Sequence, residues 1–421
     1  MIKNKKILLL NYSEFKGGAA LACNRLHQGL LKKKIQSFLL VNEKITNSSN
    51  VLGPINKKEI FFIFLKKIFI KLINFILKKN IGYFFSMSLF KSNILKKISK
   101  LKPEIVNLFW VNNEMLSIEQ IKKINMPLVW TFVDMWPFLG TEHYSLNPIY
   151  FKKNVKVNNK NFFYYLNKWT WERKKKNFNF NFEIVVISKW LASLVKKSLI
   201  FRNKKVHIIY PGLDFNNFKK IDKQSSRKFF NFSEKCKYIL FLSSNGTGDT
   251  RKGFQILLKS LEYLKTDNIV LIVVGQLEDL DSRNCKLPYK NFNKIPYDNH
   301  LNLIKLYSAC DLLVAPSVLE AFGQVALEAA SCNTPAVAFK NTGVEDIIKH
   351  KKTGYLANFL DEKDFAKGID WCLKDKNSLN KNIRSYVKNK FDIKISVKKY
   401  LELYKNLYDK RINKTETFLE K

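Results

Sequence analysis

Short, mostly apolar runs punctuate this chain and are separated by longer stretches with helical spacing. The first, Lys6-Ile7-Leu8-Leu9-Leu10, leads to a glycine-bearing turn, Lys16-Gly17-Gly18-Ala19-Ala20, and residues 20–33 then read as a helix. Further runs lie at 37–41, 104–109, 128–132 and 183–187. Runs that are nearly continuously apolar, rather than apolar at alternate positions, predict strands buried on both faces of a helix-covered parallel sheet. The rhythm restarts with a strand at 206–209, Pro211-Gly212 and a polar stretch at 219–237. Strands at 238–243, 269–274, 312–315 and 336–339 then alternate with helices at 254–264, 301–308 and 323–331. The pattern predicts one α/β domain over 1–205, a second over 206–378 and a polar helical tail over 379–421. Two such domains suit 421 residues, too many for one ordinary core.

Residues 57–100 break this rhythm. Over 61–77 the chain is Phe, Ile and Leu with Lys67, Lys71, Asn74 and, just beyond, Lys78 at helical spacing, and a second basic helix follows at 94–100. One reading is a core helix with a solvated lysine edge. The reading favoured here is contact with an anionic membrane surface, through Lys66, Lys67, Lys71, Lys78 and Lys79, because so wide an apolar face is hard to bury in one small domain. The lysines interrupt the run before it reaches the length of a membrane span. No secretory signal is legible at the N-terminus, so the expected location is cytoplasmic, peripheral on the inner face of the membrane. Six scattered cysteines without a CxxC pair fit reduced thiols rather than disulfides or a zinc site. The formal net charge of +39 fits nucleic acid, lipid or phosphorylated ligands equally. The basic residues are spread along the chain without an interleaved recognition motif, which argues against nucleic acid.

The sharpest chemical signal is Pro316-Ser317-Val318-Leu319-Glu320-Ala321-Phe322-Gly323-Gln324-Val325-Ala326-Leu327-Glu328. A strand ends at Pro316, a loop carries Glu320, and a helix opens near Gly323. At the carboxyl edge of a parallel sheet this is where ligands bind, with helix N-terminal amides as donors. Glu320 and Glu328 would accept hydrogen bonds from two rings of one ligand. The bland alternative is a dipole-favouring acid and a solvated helix face. Upstream, Ser243-Ser244-Asn245-Gly246-Thr247-Gly248-Asp249-Thr250-Arg251-Lys252-Gly253 joins a strand to a helix and makes an anion site from Arg251 and Lys252.

These residues resemble glycosyltransferase family 4, the retaining GT-B enzymes, whose E-x-F-G-x-x-x-x-E pattern is matched by Glu320, Phe322, Gly323 and Glu328. The resemblance implies a GT-B fold: two facing Rossmann-like domains with a nucleotide-sugar donor cleft between them. It implies that Glu320 with the amides of Ala321, Phe322, Gly323, Gln324 and Val325 holds the donor sugar, and that Glu328 holds the ribose. Arg251 and Lys252 would neutralise the diphosphate, and Gly17, Gly18, Gly246 and Gly275 would line the donor site. Glu320, Arg251 and Lys252 are thus the expected catalytic residues. Residues 103–107, 130–138, 187–192 and 210–214 are similar to exopolysaccharide glycosyltransferases of the colanic-acid type. That similarity implies a glycan or polyprenyl-linked acceptor, with Asp134 and His143 on the acceptor side. An ordinary hydrogen-bonded histidine is as good a reading of His143.

Two features depart from that subgroup. Val133 stands where it usually has histidine, and the Cys-rich insertion after Gly140-Thr141-Glu142-His143-Tyr144 is missing. Val133 keeps open the alternative of a non-catalytic carbohydrate- or nucleotide-binding relative. No cofactor beyond the nucleotide-sugar co-substrate and no metal is expected; Asp279-Leu280-Asp281 has metal-binding spacing but reads better as a turn cap.

Overall fold

The computed structural model describes residues 4–81, 85–146, 162–293, 300–374, 379 and 382–419. Two compact units result, Met1–Gly212 with Ile393–Lys421, and Leu213–Asp392. In the first unit the chain runs β1 (Ile7–Leu10), α1 (Gly18–Lys32), β2 (Ser37–Leu40), β3 (Val51–Leu52), α2 (Lys57–Ile81), α3 (Ile94–Leu101), β4 (Ile105–Leu108) and α4 (Ile118–Lys122). It continues through β5 (Leu128–Phe132), α5 (Phe162–Asn177), β6 (Glu183–Val186), α6 (Lys189–Lys197) and β7 (Val206–Ile208). The seven strands form one parallel sheet in the order β3-β2-β1-β4-β5-β6-β7. Every residue of β1, β4 and β5 is buried, which is why these runs are apolar but for Asn107 and Thr131.

The second unit runs α7 (Lys223–Phe229), β8 (Lys237–Leu242), α8 (Phe254–Leu261), β9 (Ile269–Val274), α9 (Asp279–Arg283), β10 (Tyr289–Phe292), α10 (His300–Ala309) and β11 (Leu312–Ala315). It ends with α11 (Gln324–Ser331), β12 (Ala336–Phe339), β13 (Gly354–Ala357), α12 (Glu362–Lys374) and α13 (Ile383–Phe391). Its parallel sheet has the order β10-β9-β8-β11-β12-β13. Phe241, Leu271, Leu312 and Val337 of the strands pack with Leu257 of α8 and Phe365 and Ile369 of α12.

Two expected boundaries are corrected. The strand at 206–209 does not open the second domain: β7 pairs with β6 at the edge of the first sheet. The tail is not one appendage either. It divides at residue 392, and its last helix, α14 (Ile393–Leu419), returns to the first unit. There Val397, Tyr400 and Tyr404 are buried. The Tyr404 hydroxyl accepts from Asn107 Nδ2 at 2.7 Å, and the Tyr400 hydroxyl lies 3.1 Å from Thr131 Oγ1. Asn107 of β4 and Thr131 of β5 are polar residues within otherwise apolar strands, and these tyrosines give them partners.

The lysines of α2 also differ from expectation. Lys66 donates to the carbonyls of Lys91 and Glu114 at 3.0 and 3.1 Å, and Lys67 pairs with Glu43 at 2.7 Å. Both therefore turn toward the protein. The side chains of Lys78 and Lys79 lie outside those described. Among the described residues no helix is long and apolar enough to cross a membrane.

Candidate active site

In the second sheet the strand order reverses between β8 and β11, and the loops after these two strands leave in opposite directions. Such a switch point is where an open α/β sheet offers a ligand site. The loop after β8 contains Gly246, Arg251 and Lys252, and the loop after β11 contains Glu320. Glycines hold the two together. Gly253 has φ +70°, and a Cβ there would sit 2.0 Å from the Pro316 carbonyl oxygen. Gly275, after β9, has φ +119°, and its Cβ would lie 2.1 Å from the Ser243 carbonyl oxygen. The Val318 amide donates to the Arg251 carbonyl at 2.8 Å, closing one loop onto the other.

Across this seam Lys252 Nζ donates to Glu320 Oε2 at 2.6 Å. The Glu320 side chain is 16% exposed, and its Oε1 accepts from the Gly323 amide at 3.2 Å. Burial opposes its charge, yet Lys252, Arg251 and the Phe322 amide outweigh burial and hold the carboxyl below its ordinary range. Arg251 grips Asp249 through Nε at 3.1 Å and Nη2 at 2.6 Å, and Asp249 also caps the short turn at Thr250–Lys252. The structure thus gathers Arg251, Lys252 and Glu320 into one cationic and anionic cluster beside the N-terminus of α11. Such a cluster can neutralise a phosphate and accept hydroxyl hydrogen bonds.

The other motif positions divide by burial. Ala321 and Phe322 are buried, the latter against Phe391 at 5.6 Å between ring centres, so their side chains serve the core. Gln324 and Val325 are partly exposed. Glu328 is 4% exposed rather than solvated, and the Tyr307 hydroxyl donates to its Oε2 at 3.1 Å. Asp281 accepts from Gln255 Nε2 and belongs to α9.

In the first unit the sheet reverses between β1 and β4. Gly17 caps α1 at φ +88°, with nothing within 4 Å of where its Cβ would be, and Gly18 opens the helix. After β5, Val133 is buried and Asp134 lies 2.5 Å from His143 Nδ1. His143 Nε2 is 3.0 Å from Ser86 Oγ, and Trp110 Nε1 donates to Asp134 Oδ2 at 2.9 Å. Asp134 and His143 are therefore brought together, but both are buried. Below them the buried Lys174 donates to the carbonyls of Trp136, Leu139 and Gly140, at 2.5, 3.0 and 2.5 Å.

Residues 222–390 match the model of glycosyl transferases group 1. This segment holds Gly246, Arg251, Lys252, Gly275 and the whole stretch from Glu320 to Glu328. Among curated proteins, the uncharacterized glycosyltransferase MJ1607 of Methanocaldococcus jannaschii is 31% identical over 208 residues, 46% of this chain and 51% of that protein. The capsular polysaccharide biosynthesis glycosyltransferase CapM of Staphylococcus aureus is 24% identical, over 51% of this chain and 58% of its own length. The chain spans about half the length of the curated relatives it matches. Among solved structures, sucrose-phosphate synthase from Thermosynechococcus elongatus superposes with a TM-score of 0.70 at 15% identity, covering 96% of this chain and 100% of that one. Anabaena HepE in complex with UDP and glucose gives 0.63 at 16% identity, with the same coverage. The fold is GT-B. Family match and named relatives together support a glycosyltransferase of that fold.

Several residues of this GT-B site were not singled out from the sequence. Asp249 is a partner of Arg251, Tyr307 a partner of Glu328, and the Ser243 hydroxyl is buried without a partner among the described residues where β8 ends. Asp249 had a local signal, since an Asp before a basic turn is a cap. Tyr307 is 21 residues from Glu328, and nothing in the sequence pairs the two. Among the described residues no cluster of three His, Cys, Asp or Glu side chains is placed to hold a metal ion.

Proposed function

We propose that this protein moves a sugar from a nucleotide-sugar donor to a glycan or lipid-linked acceptor in cell-surface polysaccharide synthesis, with retention of configuration and without a metal. The observation that carries the reading is the Lys252–Glu320 pair at the β8/β11 switch point, inside the segment that matches the family. The diphosphate would replace Glu320 as the partner of Lys252, with Arg251 beside it. Glu320 would then turn to the sugar hydroxyls, and the α11 N-terminus would add its dipole. As the glycosidic bond breaks, negative charge grows on the leaving diphosphate. Cations fixed beforehand stabilise that charge more than the ground state, which is how such a site accelerates transfer. Glu328 would reach the ribose, and the leaving phosphate oxygen would take the acceptor proton. Because HepE was solved with UDP-glucose, a UDP-hexose is the first donor to try.

One observation favours a second reading, a binding protein without turnover. Val133, on the loop after β5, is buried and offers no polar atom beside Asp134. A panel of nucleotide sugars, assayed for nucleoside diphosphate release and for thermal shift, separates the two. Thermal shift without release favours the second reading. Neither response to any donor ends both. Arg251→Ala and Lys252→Ala should each slow release by roughly 30- to 1,000-fold, equivalent to about 2–4 kcal/mol.

A further inference from the structure

On α2 the usual distribution of side chains is inverted. With about 100° between successive residues, Ile60, Phe61, Phe64, Ile68, Leu72 and Phe75 share one face, and each is 47–79% exposed. Three of the charged residues, Glu59, Lys66 and Lys67, are tied to the protein instead. Glu59 pairs with Lys97 at 2.6 Å, Lys67 with Glu43 at 2.7 Å, and Lys66 is held by two backbone carbonyls. A surface helix of a soluble domain turns such an apolar face toward the core. Beside it, Phe69 and Ile73 of α2 pack with Phe163 and Leu166 of α5 around Phe85 and Met87. On α5 a second row, Phe162, Tyr165 and Trp169, is also exposed.

We propose that this α2–α5 face docks on an anionic lipid bilayer, with α2 lying in the headgroup plane and its phenylalanines among the acyl chains. Charge selects this occupant. Lys57, Lys58 and Lys71 are exposed beside the apolar face, Lys168, Lys175 and Lys176 are exposed on α5, and the only carboxylate of α2 is turned inward. A second copy of the chain would bring these lysines against one another, whereas anionic headgroups neutralise them. Tyr165 and Trp169 are the amphipathic side chains that favour the membrane–water boundary. Apolar insertion and lysine attraction add, as two-signal peripheral attachment requires. The proposal is independent of glycosyl transfer: loss of vesicle binding overturns this one alone, and loss of donor turnover the other alone.

The test is co-sedimentation of the full-length protein with phosphatidylglycerol/phosphatidylcholine vesicles and with phosphatidylcholine vesicles. The protein should pellet with the former, less so as salt rises, and remain in the supernatant with the latter. The quadruple variant Phe61→Ser/Phe64→Ser/Leu72→Ser/Phe75→Ser should lose roughly tenfold or more in partitioning while keeping its urea midpoint, because all four side chains are exposed. Lys57→Glu/Lys58→Glu/Lys71→Glu should lose roughly tenfold or more on anionic vesicles. Phe64→Trp, read by quenching from brominated lipid, reports insertion directly. Wild-type protein left in the supernatant with both vesicles overturns the proposal, as does unchanged binding by the serine variant. A wild-type dimer that the serine variant dissociates, without vesicle binding, assigns the face to a second copy and overturns it as well.

Discussion

At Glu320 burial and charge pull in opposite directions, and Lys252 decides the outcome. Its folded pKa lies below the ordinary carboxyl value, so ionised Glu320 contributes stability at pH above the unfolded value of about 4.3. That contribution is lost as pH falls through the folded value. Urea midpoints of the wild type and Glu320→Gln should therefore differ at pH 7 and converge in acid; a gap independent of pH would mean the ion pair contributes nothing. At Glu328 the question is packing, because its side chain is buried against Tyr307. Glu328→Ala removes an acceptor of the Tyr307 hydroxyl, at a cost of about 1–3 kcal/mol, while Glu328→Gln keeps an acceptor and costs less. The Glu-pair motif alone suggests that either acid can be removed without harm to the fold, and that holds only for a solvated acid. Equal urea midpoints for Glu328→Ala and wild type would refute the point. Val133→His faces the same constraint, since an imidazole at this buried position needs a hydrogen-bond partner.

Among elements, the loops after β8, β9 and β11 depend on glycine where their backbones nearly touch. Gly253→Ala combines left-handed φ with a contact at the Pro316 carbonyl that no real Cβ tolerates. Strain alone is worth about 1–3 kcal/mol, and the shift moves the adjacent Lys252. The variant should lose thermal stability and nucleoside diphosphate affinity together, as calorimetry would show; full affinity in the variant would place the phosphate elsewhere. The buried strands around this seam were legible because a strand covered on both faces is mostly apolar, as in Ile269–Val274. β10 was not, because its Tyr289, Lys290 and Asn291 are exposed and its pattern is polar. The strand at Val206–Ile208 was legible as a strand but not as the edge of the first sheet, since periodicity gives a conformation and not a partner. Likewise Arg251, Lys252 and Glu320 were legible as candidates from motif spacing, whereas the pairing of Tyr307 with Glu328 shows only in the tertiary contact.

For the whole molecule, the chain's last helix completes its first unit. Gly29 of α1 gives α14 room: a Cβ there would come within 2.6 Å of Val397 Cγ2, and one at Gly212 within 2.5 Å of the Ile393 Cα. Tyr400 and Tyr404, both buried, reach through to Thr131 and Asn107. Removing α14 would expose the apolar face of α1 and leave two buried polar strand residues short of partners, each worth about 1–3 kcal/mol. That penalty is comparable with the few kcal/mol by which a domain is stable. A fragment ending at Gly212 should therefore show exchange-labile amides in β4 and β5 and no cooperative urea transition. The same fragment joined by a short linker to residues 393–421 should recover both, although the second unit is absent. Protection in β4 and β5 without α14 would show that the first unit folds alone and that its last helix is an ornament of its surface. Gly29→Leu in the full chain offers an orthogonal reading, because it fills the space into which α14 packs. It should lower the urea midpoint of the first unit, reported by exchange at Thr131, and leave that of β8 and β11 unchanged.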